Sequence, residues 1–336
     1  MTWSAAGSSV RRLIAGVLAL TAILAAPNPA RAQQVGRVHR IGYLTLWYST
    51  SDPALRLALA EGLRARGYHE GDRMVFESRY AEGKIERLPE LAADLVQRRV
   101  DVIVAISTPA GLAARQATST IPIVVAGSGD MVDSGLVANT ARPGGNVTGV
   151  QVLGPELAVR QLEILKQVVP EAARLAFLGN PDIPSDVSFF RALERQAPSS
   201  GVTIRFVHAR TEADYKVAFD TLVQGRVQAL IVGASVTQID PSRRVVRLVS
   251  QSRIPAMYPG RQFVEAGGLI SYFANPADLG RHVAAYVDKI LKGARSGDLP
   301  VEQYAGYELA INLRTAKALF LTIPAALLNQ AVDVFR

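Results

Sequence analysis

Two stretches of the chain carry nearly the same series of residues in the same order. Residues 95–100 (LVQRRV) lead into an apolar run at 102–107, and residues 222–227 (LVQGRV) lead into a second apolar run at 230–235. Each run is followed by a helical pattern and then by an Ile-Pro pair that opens another apolar strand. This repeat predicts two halves of similar α/β topology, each with its own sheet.

The apolar runs have the composition of buried strands. They are rich in Val and Ile and apolar at successive positions, as strands covered on both faces of a parallel sheet are. Helical patterns separate them, which indicates βαβ units and the α/β class, with two doubly wound parallel-sheet lobes. The expected strands are 39–46, 74–80, 102–106, 121–126, 175–178, 203–207, 229–232, 254–258 and 269–272, and the expected helices are 54–66, 88–98, 156–168, 188–196, 215–224 and 279–292.

The first 32 residues have the order of a secretory signal peptide. Arg11 and Arg12 precede an uncharged apolar run at 13–26, and an Ala-Arg-Ala motif ends at Ala32. The apolar run has 14 residues, fewer than the roughly 20 that cross a bilayer. We therefore expect residues 1–32 to be removed and the mature protein to lie in the periplasm. A membrane anchor and a buried first helix are the alternative interpretations, and the export route stays open.

The composition narrows the class of protein further. The chain has no cysteine, so we expect neither a disulfide nor an acylated cysteine after the signal peptide. The net charge is +8 and falls to about +5 when the three arginines of the signal peptide leave. The remaining basic residues are scattered without interleaved aromatic residues, which argues against a nucleic-acid partner. The 304 residues after Ala32 suffice for two domains with separate cores.

Candidate ligand contacts lie where the predicted strands end, because ligands of open α/β sheets bind beyond the carboxyl ends of the strands. Ser107 and Thr108 precede a proline, so they mark a helix start whose backbone donors suit a carboxylate. Gly129 and Asp130 follow the next strand, where the glycine permits close approach and the aspartate offers a charge to an ammonium or hydroxyl group. Ordinary helix or turn capping is the alternative for these residues.

Aromatic and basic side chains add to these candidates. Trp47 and Tyr48 follow the first predicted strand, where they would stack on a ligand or pack between the lobes. Tyr258 and Arg261 close a strand of the second half, and Arg261 would pair with a ligand carboxylate or with a surface acid.

No catalytic motif is evident in the sequence. The four histidines lie in unrelated segments without metal-ligand spacing, and there is neither a G-x-S-x-G motif nor a phosphate-binding Walker loop. Gly127 and Gly129 begin a possible dinucleotide motif, but Val132 stands where its third glycine belongs. The sequence therefore favours a binding protein without a cofactor over an enzyme.

Several blocks of the sequence match a known family. They include LPELAADLV at 88–96, RPGGNVTGV at 142–150, EAGGL at 265–269 and INLRTAKAL at 311–319. On these residues the chain resembles the ABC-transporter solute-binding proteins of the periplasmic binding protein type I fold, in the branch that includes tryptophan- and tyrosine-binding members. The matching blocks extend over essentially the whole chain after the signal peptide.

The resemblance implies two lobes joined by three crossings that close on a ligand in the cleft between them. Hinges are expected near Val150, Gly268 and Tyr304. The implied bounds are 33–150 and 269–304 for the first lobe, and 151–268 and 305–336 for the second.

The resemblance also extends the list of expected cleft residues and names partners. Its cleft loops add Ser49, Ser128, Asn180, Ala234, Ser235 and Tyr272 to the candidates above. It implies a small ligand such as an amino acid or an aromatic acid, an ABC permease in the cytoplasmic membrane, no cofactor and a monomeric state. The alternatives are a ligand-sensing lobe that docks on a membrane receptor and an exported α/β enzyme.

Overall fold

The computed structural model describes residues 37–49, 53–236 and 243–336. The predicted signal peptide lies outside the described residues, and every element named below lies within His39–Arg336. The first sheet contains β1 (His39–Thr45), β2 (Met74–Tyr80), β3 (Val102–Ile106), β4 (Ile123–Ser128), β5 (Val147–Gln151) and β11 (Glu302–Gln303). The second contains β6 (Arg174–Gly179), β7 (Thr203–His208), β8 (Ala229–Val232), β9 (Ala256–Tyr258), β10 (Ile270–Ala274), β12 (Tyr307–Asn312) and β13 (Asp333–Phe335).

Helices connect the strands in chain order. The longest described helix has 16 residues, and no helix in the described part of the chain is both long and apolar enough to cross a membrane. The helices are α1 (Pro53–Arg64), α2 (Leu88–Gln97), α3 (Thr108–Ala117), α4 (Pro155–Val168), α5 (Pro184–Gln196), α6 (Tyr215–Gln224), α7 (Arg243–Ser252), α8 (Arg261–Glu265), α9 (Pro276–Leu291), α10 (Leu313–Ala318) and α11 (Ala325–Gln330).

The two sheets have the same strand order. The first runs β2-β1-β3-β4-β5-β11 and the second runs β7-β6-β8-β9-β10-β12-β13. The first five strands of each are parallel, which gives the doubly wound order 2-1-3-4-5 in both. Because β3 and β8 lie in different sheets, the prediction of two separate α/β lobes is confirmed. We call each sheet with its flanking helices the first and the second lobe.

Apolar sequence accounts for the central strands. All five residues of β3 (VIVAI) and all four of β8 (ALIV) are buried, as strands covered by helices on both faces must be. The predicted bounds of β2, β3 and β8 agree with the structure. The strands β3 and β8 carry their residues into the core whichever way each side chain points, so composition suffices to find them.

The repeated motif of the sequence has a repeated backbone conformation. Arg99 and Arg226 occupy the same place in the two copies, and both have positive φ, 52° and 48°. Each lies between the end of a helix and the strand that follows it. A left-handed residue at this position ends a helix, and glycine is the usual choice there. The same turn geometry therefore recurs in both lobes with the same arginine.

The far edges of the two sheets differ. In the first sheet the edge strand β11 has two residues and runs parallel to β5. In the second sheet β12 runs antiparallel to β10, and β13 then pairs in parallel with β12. No strand was expected at β12 or β13; residues 307–312 of β12 mix polar and apolar positions, and β13 has three residues.

Three crossings join the lobes, and the second begins later than expected. The strand β10 pairs with β9 and β12 in the second sheet, so the prediction that the chain returns to the first lobe at Leu269 is wrong. The glycines that suggested a hinge near Gly268 instead form the turn from α8 into β10, with Gly267 at φ 108°. The chain returns after Ala274, where α9 begins and packs on α1 of the first lobe.

Hydrogen bonds tie the crossings to one another. The Tyr307 hydroxyl, just after the third crossing, donates to the Val152 carbonyl oxygen in the first crossing at 2.8 Å. The Tyr304 hydroxyl donates to Asp278 Oδ2, which follows the second crossing, at 2.9 Å. Burial raises the pKa of Tyr307 to about 12, so this hydroxyl keeps its proton at any physiological pH. The crossings therefore form a hydrogen-bonded group beside the cleft.

Candidate functional site

A cavity of about 390 Å³ lies between the carboxyl ends of the two sheets. Its walls come from both lobes and from two of the three crossings. We call it the cleft cavity. The residues that line it are Trp47, Ala54, Leu55, Ile106, Ser107, Gly127, Val152, Leu153, Ser185, Ala234, Ser235, Pro259, Gly260, Arg261, Gln262, Glu265, Ser271, Phe273, Ala274, Asn275, Pro276, Ala277, Leu279, Glu308, Leu309, Ala310 and Asp333.

The structure brings only part of the predicted site residues to this cavity. Those in its wall are Trp47, Ser107, Ala234, Ser235 and Arg261. The others are outside the wall: Tyr48, Ser49, Thr108, Ser128, Gly129, Asp130, Asn180, Tyr258 and Tyr272. For Thr108, Asp130, Asn180, Tyr258 and Tyr272, the contacts that each side chain makes elsewhere account for its absence from the wall.

Asp130 and Asn180 act on the backbone around them. Asp130 Oδ1 accepts from the backbone N–H groups of Val132 and Asp133 at 2.8 and 3.0 Å, so the carboxylate caps a turn. Asn180 Oδ1 accepts from the backbone N–H of Asp182 at 2.9 Å in the same way. At Asp130 this is the capping alternative raised from the sequence, and Asn180 caps its own turn in the same way.

Two tyrosines of the second lobe point away from the cavity. The ring of Tyr258 stacks on Phe263 at 5.6 Å and lies within the second lobe. The ring of Tyr272 packs against Tyr307 at 5.6 Å. Ser271 and Phe273, which flank Tyr272 in β10, line the cavity instead. Successive side chains of a strand face opposite ways.

Two polar groups at the cavity have no hydrogen-bond partner within residues 37–49, 53–236 and 243–336. They are Trp47 Nε1 and Ser107 Oγ, and both atoms are buried. Ser128 Oγ, one strand away, is a third buried hydroxyl of this kind. Buried polar groups are nearly always hydrogen-bonded, and an unpaired one costs about 1–3 kcal/mol. Trp47 Nε1 can only donate, so this side of the cavity is prepared for a ligand acceptor.

The backbone at Ser107 is held in an unusual conformation. Ser107 joins β3 to α3 with φ 87° and ψ 161°, a left-handed φ that residues with a Cβ rarely adopt. The next residue, Thr108, is fully buried, and its Oγ1 accepts from the Gly129 N–H at 3.1 Å. Strained backbone of this kind costs about 1–3 kcal/mol and occurs preferentially at functional sites. Thr108 therefore positions the turn, while Ser107 faces the cavity.

Below the second-lobe wall lies a buried carboxylate that the sequence analysis missed. Asp186 Oδ2 accepts from the Ser235 hydroxyl and, at 2.8 Å, from the Asn180 N–H. Burial raises its pKa to about 6, and these hydrogen bonds partly oppose that rise. The hydrogen bond to Asp186 fixes the orientation of the Ser235 side chain, and Ser235 lines the cavity.

The charged residues of the cavity wall are mainly acidic. Among the described residues they comprise one arginine, Arg261, and three carboxylates, Glu265, Glu308 and Asp333. Arg261 is engaged by Asp333 at 2.8 Å and by Glu265 at 3.2 Å. Glu308 accepts from the Asn275 amide at 2.7 Å and forms no ion pair with any described residue. The surplus negative charge favours a ligand with a cationic group on the second-lobe side.

The lobes contact each other beside the cavity. A Cβ built on Gly129 of the first lobe would lie 2.7 Å from the Ser185 Cβ of the second. Ser188 Oγ is 3.4 Å from Asp133 Oδ2 across the same boundary. Ile183, just before α5, belongs to a buried apolar cluster otherwise formed by the first lobe. The residues around Gly129 therefore form a direct contact between the two lobes.

Comparison with known proteins identifies a matching family model. The model describes ABC transporter substrate binding proteins and matches residues 50–335. A curated relative, the tyrosine-binding protein of Clostridioides difficile strain R20291, is 26% identical over 316 residues, which cover 91% of this chain and 90% of the relative.

Two solved structures of about the same sequence identity differ in their fit to this one. An ABC domain from Streptococcus pneumonia in complex with L-Trp has a TM-score of 0.83 at 26% identity, covering 89% of this chain and all of the other. A ligand-free, open substrate-binding protein from Clostridium difficile has a TM-score of 0.66 at 25% identity, covering 89% of this chain and 99% of the other. The lobes here are thus arranged more like those of the ligand-bound structure.

Proposed function

The chain belongs to the family of ABC transporter substrate-binding proteins, and on that premise we propose that it captures an aromatic amino acid in the cleft cavity. The observation that carries the proposal is the pair of buried, unpartnered groups on the first-lobe side, Trp47 Nε1 and Ser107 Oγ. Both can donate to one ligand carboxylate, and a charge-assisted hydrogen bond is stronger than a neutral one.

The wall on the second-lobe side supports the proposal that the ligand is an amino acid, which carries an ammonium group as well as a carboxylate. Glu308 is the carboxylate of the wall without an ion pair to a described residue, and Asn275 holds its position at 2.7 Å. We assign it to the ligand ammonium. Between the two ends the wall is largely apolar, with Leu55, Leu153 and Phe273 available to a ring. A cavity of about 390 Å³ is in the range of small-molecule sites.

The names of the similar proteins agree with this ligand class. One is called a tyrosine-binding protein and another holds L-Trp. The proposal extends to the partner and the compartment: the mature protein would act as a monomer in the periplasm, after loss of residues 1–32, and deliver its ligand to an ABC permease.

Calorimetric titration with three matched ligands tests the assignment of the two ends. L-Tryptophan carries both charges, tryptamine lacks the carboxylate and indole-3-propionate lacks the ammonium. Each deletion should weaken binding about ten- to a hundredfold, since each removes a charge-assisted hydrogen bond. In Ser107→Ala the penalty for tryptamine should shrink, whereas in Glu308→Gln the penalty for indole-3-propionate should shrink. Ser49→Ala, an exposed serine outside the wall, is the control.

Three experimental results would refute the proposal, two from the titration and one from mass spectrometry. Equal penalties for both analogues in both variants would remove Ser107 and Glu308 from the ligand contacts. Absence of heat with L-tryptophan, L-tyrosine and L-phenylalanine alike would reject the ligand class. Chemical change of the bound ligand, seen by mass spectrometry, would indicate an enzyme.

A further inference from the structure

A second cavity, of about 640 Å³, lies in the second lobe away from the cleft. It is open to solvent and bordered by α7, by the turns that lead into β9 and β10, and by α10. The strands β9 and β10 thus have a cavity at each end, because their carboxyl ends border the cleft cavity through Pro259 and Ala274. None of the residues lining the second cavity lines the cleft cavity.

The charged residues that the structure describes in the lining of the second cavity are both basic. They are Arg253 and Arg314, and none of the described lining residues is acidic. Neither arginine forms an ion pair with any residue in the described ranges. Two cations beside one cavity repel each other and leave a positive potential there, which an anion would relieve.

A buried tyrosine also lines this cavity. Tyr258 lines it, although the residue is only 1% exposed. Burial alone raises the pKa of Tyr258, with no hydrogen bond or charge from another residue contributing. The hydroxyl therefore stays protonated and can donate. A buried tyrosine usually finds a partner for its O–H, and the described residues supply none.

The remaining lining residues are mainly apolar. The apolar side chains of Val246, Val249, Ile254, Leu269 and Leu319 contribute to the lining, beside the polar residues Ser250, Gln251 and Thr315. We propose that the second cavity binds a small organic anion, a carboxylate on an apolar body, with Arg253 and Arg314 at the carboxylate and Tyr258 donating to the same ligand. This site is separate from the proposed amino-acid site and does not depend on it.

Titration of a fluorinated probe, followed by ¹⁹F NMR, tests the site. The probe is 4-(trifluoromethyl)benzoate, with 4-(trifluoromethyl)benzamide as its neutral counterpart and inorganic phosphate as an anion without an apolar body. We expect the benzoate to bind more tightly than either of the other two. Arg253→Gln combined with Arg314→Gln should weaken benzoate binding about tenfold or more. Tyr258→Phe, which keeps the ring stacked on Phe263, should weaken it about fivefold.

Two control variants make the outcome decisive. Arg191→Gln with Arg195→Gln removes the same charge from exposed positions on α5, outside both cavities, and should leave binding unchanged. Ser107→Ala alters only the cleft cavity and should also leave it unchanged. Loss of probe binding in Ser107→Ala, equal binding of benzoate and benzamide, or equal loss in the two arginine pairs would each overturn the proposal.

Discussion

The two lobes are built on the same frame, yet their edges at the cleft carry different chemistry. The third residue of the helix after the first strand is Leu55 in the first lobe and the buried Asp186 in the second. The residue after the third strand is Ser107, with φ 87°, in the first lobe and Gly233 in the second. The first lobe thus offers unpartnered donors, and the second offers a supported serine and surplus carboxylates.

This difference indicates which parts of a repeated fold are free to change. The elements that the repeat shares, such as the left-handed Arg99 and Arg226, lie at the ends of the strands far from the cleft. The elements that differ are the loops at the carboxyl ends. A ligand with an acceptor at one end and a cation at the other fits between such unlike walls.

The largest expected effect concerns the contact between the lobes. Gly129→Leu places a side chain where a Cβ already lies 2.7 Å from Ser185 Cβ, so the lobes cannot close as they do here. We expect ligand affinity to fall about a hundredfold or more, because overpacking of a close contact costs several kcal/mol. The melting temperature should change little, since each lobe keeps its own core.

Scattering and a matched variant test this prediction. Small-angle scattering of Gly129→Leu should show no compaction upon ligand addition, in contrast to the parent. Gly145→Leu is the control, because a Cβ at Gly145 meets open space. Parental affinity in Gly129→Leu would mean that closure does not use this contact.

The sequence predicts the central strands of the two sheets better than it predicts the residues of the site. The buried strands β3 and β8 are apolar on both faces, so composition finds them. The strand β12 was missed because its sequence, YELAIN, mixes polar and apolar positions without regular alternation, and it is this strand that brings Glu308 to the cavity. Its antiparallel pairing with β10 depends on contacts between distant segments, which no local pattern encodes.

Within the site, the position of a residue was easier to predict than the direction of its side chain. Ser107 and Ser235 follow their strands and line the cavity. Tyr258 ends β9 but turns into the second lobe, and Asp130 is taken up by a turn. Asp186 gave no signal in the sequence, because an aspartate in the first turn of a helix is normally an exposed, dipole-stabilised residue.

The next effect, in order of size, is the pH dependence that Asp186 gives to the second lobe. Its pKa rises from 3.8 to about 6 on folding, so the folded protein holds this proton more tightly than the unfolded chain does. The stability contributed by this group is therefore full below about pH 4 and is lost as pH rises through 6, a difference of about 3 kcal/mol. Asp186→Asn should remove this dependence.

Urea denaturation of parent and variant at several pH values measures it. Between pH 4 and 7 the unfolding free energy of the parent should fall relative to that of Asp186→Asn. Asp182→Asn, a more exposed carboxylate paired with Arg210, should follow the parent instead. Parallel curves for the parent and Asp186→Asn would show that the buried carboxyl has an ordinary pKa.

A smaller effect is expected at Asp130 in the first lobe. Asp130→Ala removes the acceptor of two backbone N–H groups and should lower the unfolding free energy by about 1 kcal/mol. Asp130→Asn keeps an oxygen at the same place and should stay near the parent. Ligand affinity measured by calorimetry should be unchanged in both, and a tenfold loss in both would return Asp130 to the ligand contacts.

The smallest expected effect belongs to Arg261, and its sign decides the polarity of the second-lobe wall. The side chain is 55% exposed and already paired with Asp333 and Glu265, so Arg261→Gln should change stability by less than about 1 kcal/mol.

The Arg261→Gln substitution frees two carboxylates at the cavity. If the ligand ammonium faces this wall, affinity for L-tryptophan should rise about twofold at low ionic strength and return to the parental value in salt, which screens such charges. If Arg261 holds the ligand carboxylate, affinity should instead fall about tenfold or more, and the loss should be larger for indole-3-propionate than for tryptamine. Titrations at two salt concentrations separate these results, with Asp333→Asn expected to shift affinity in the opposite direction.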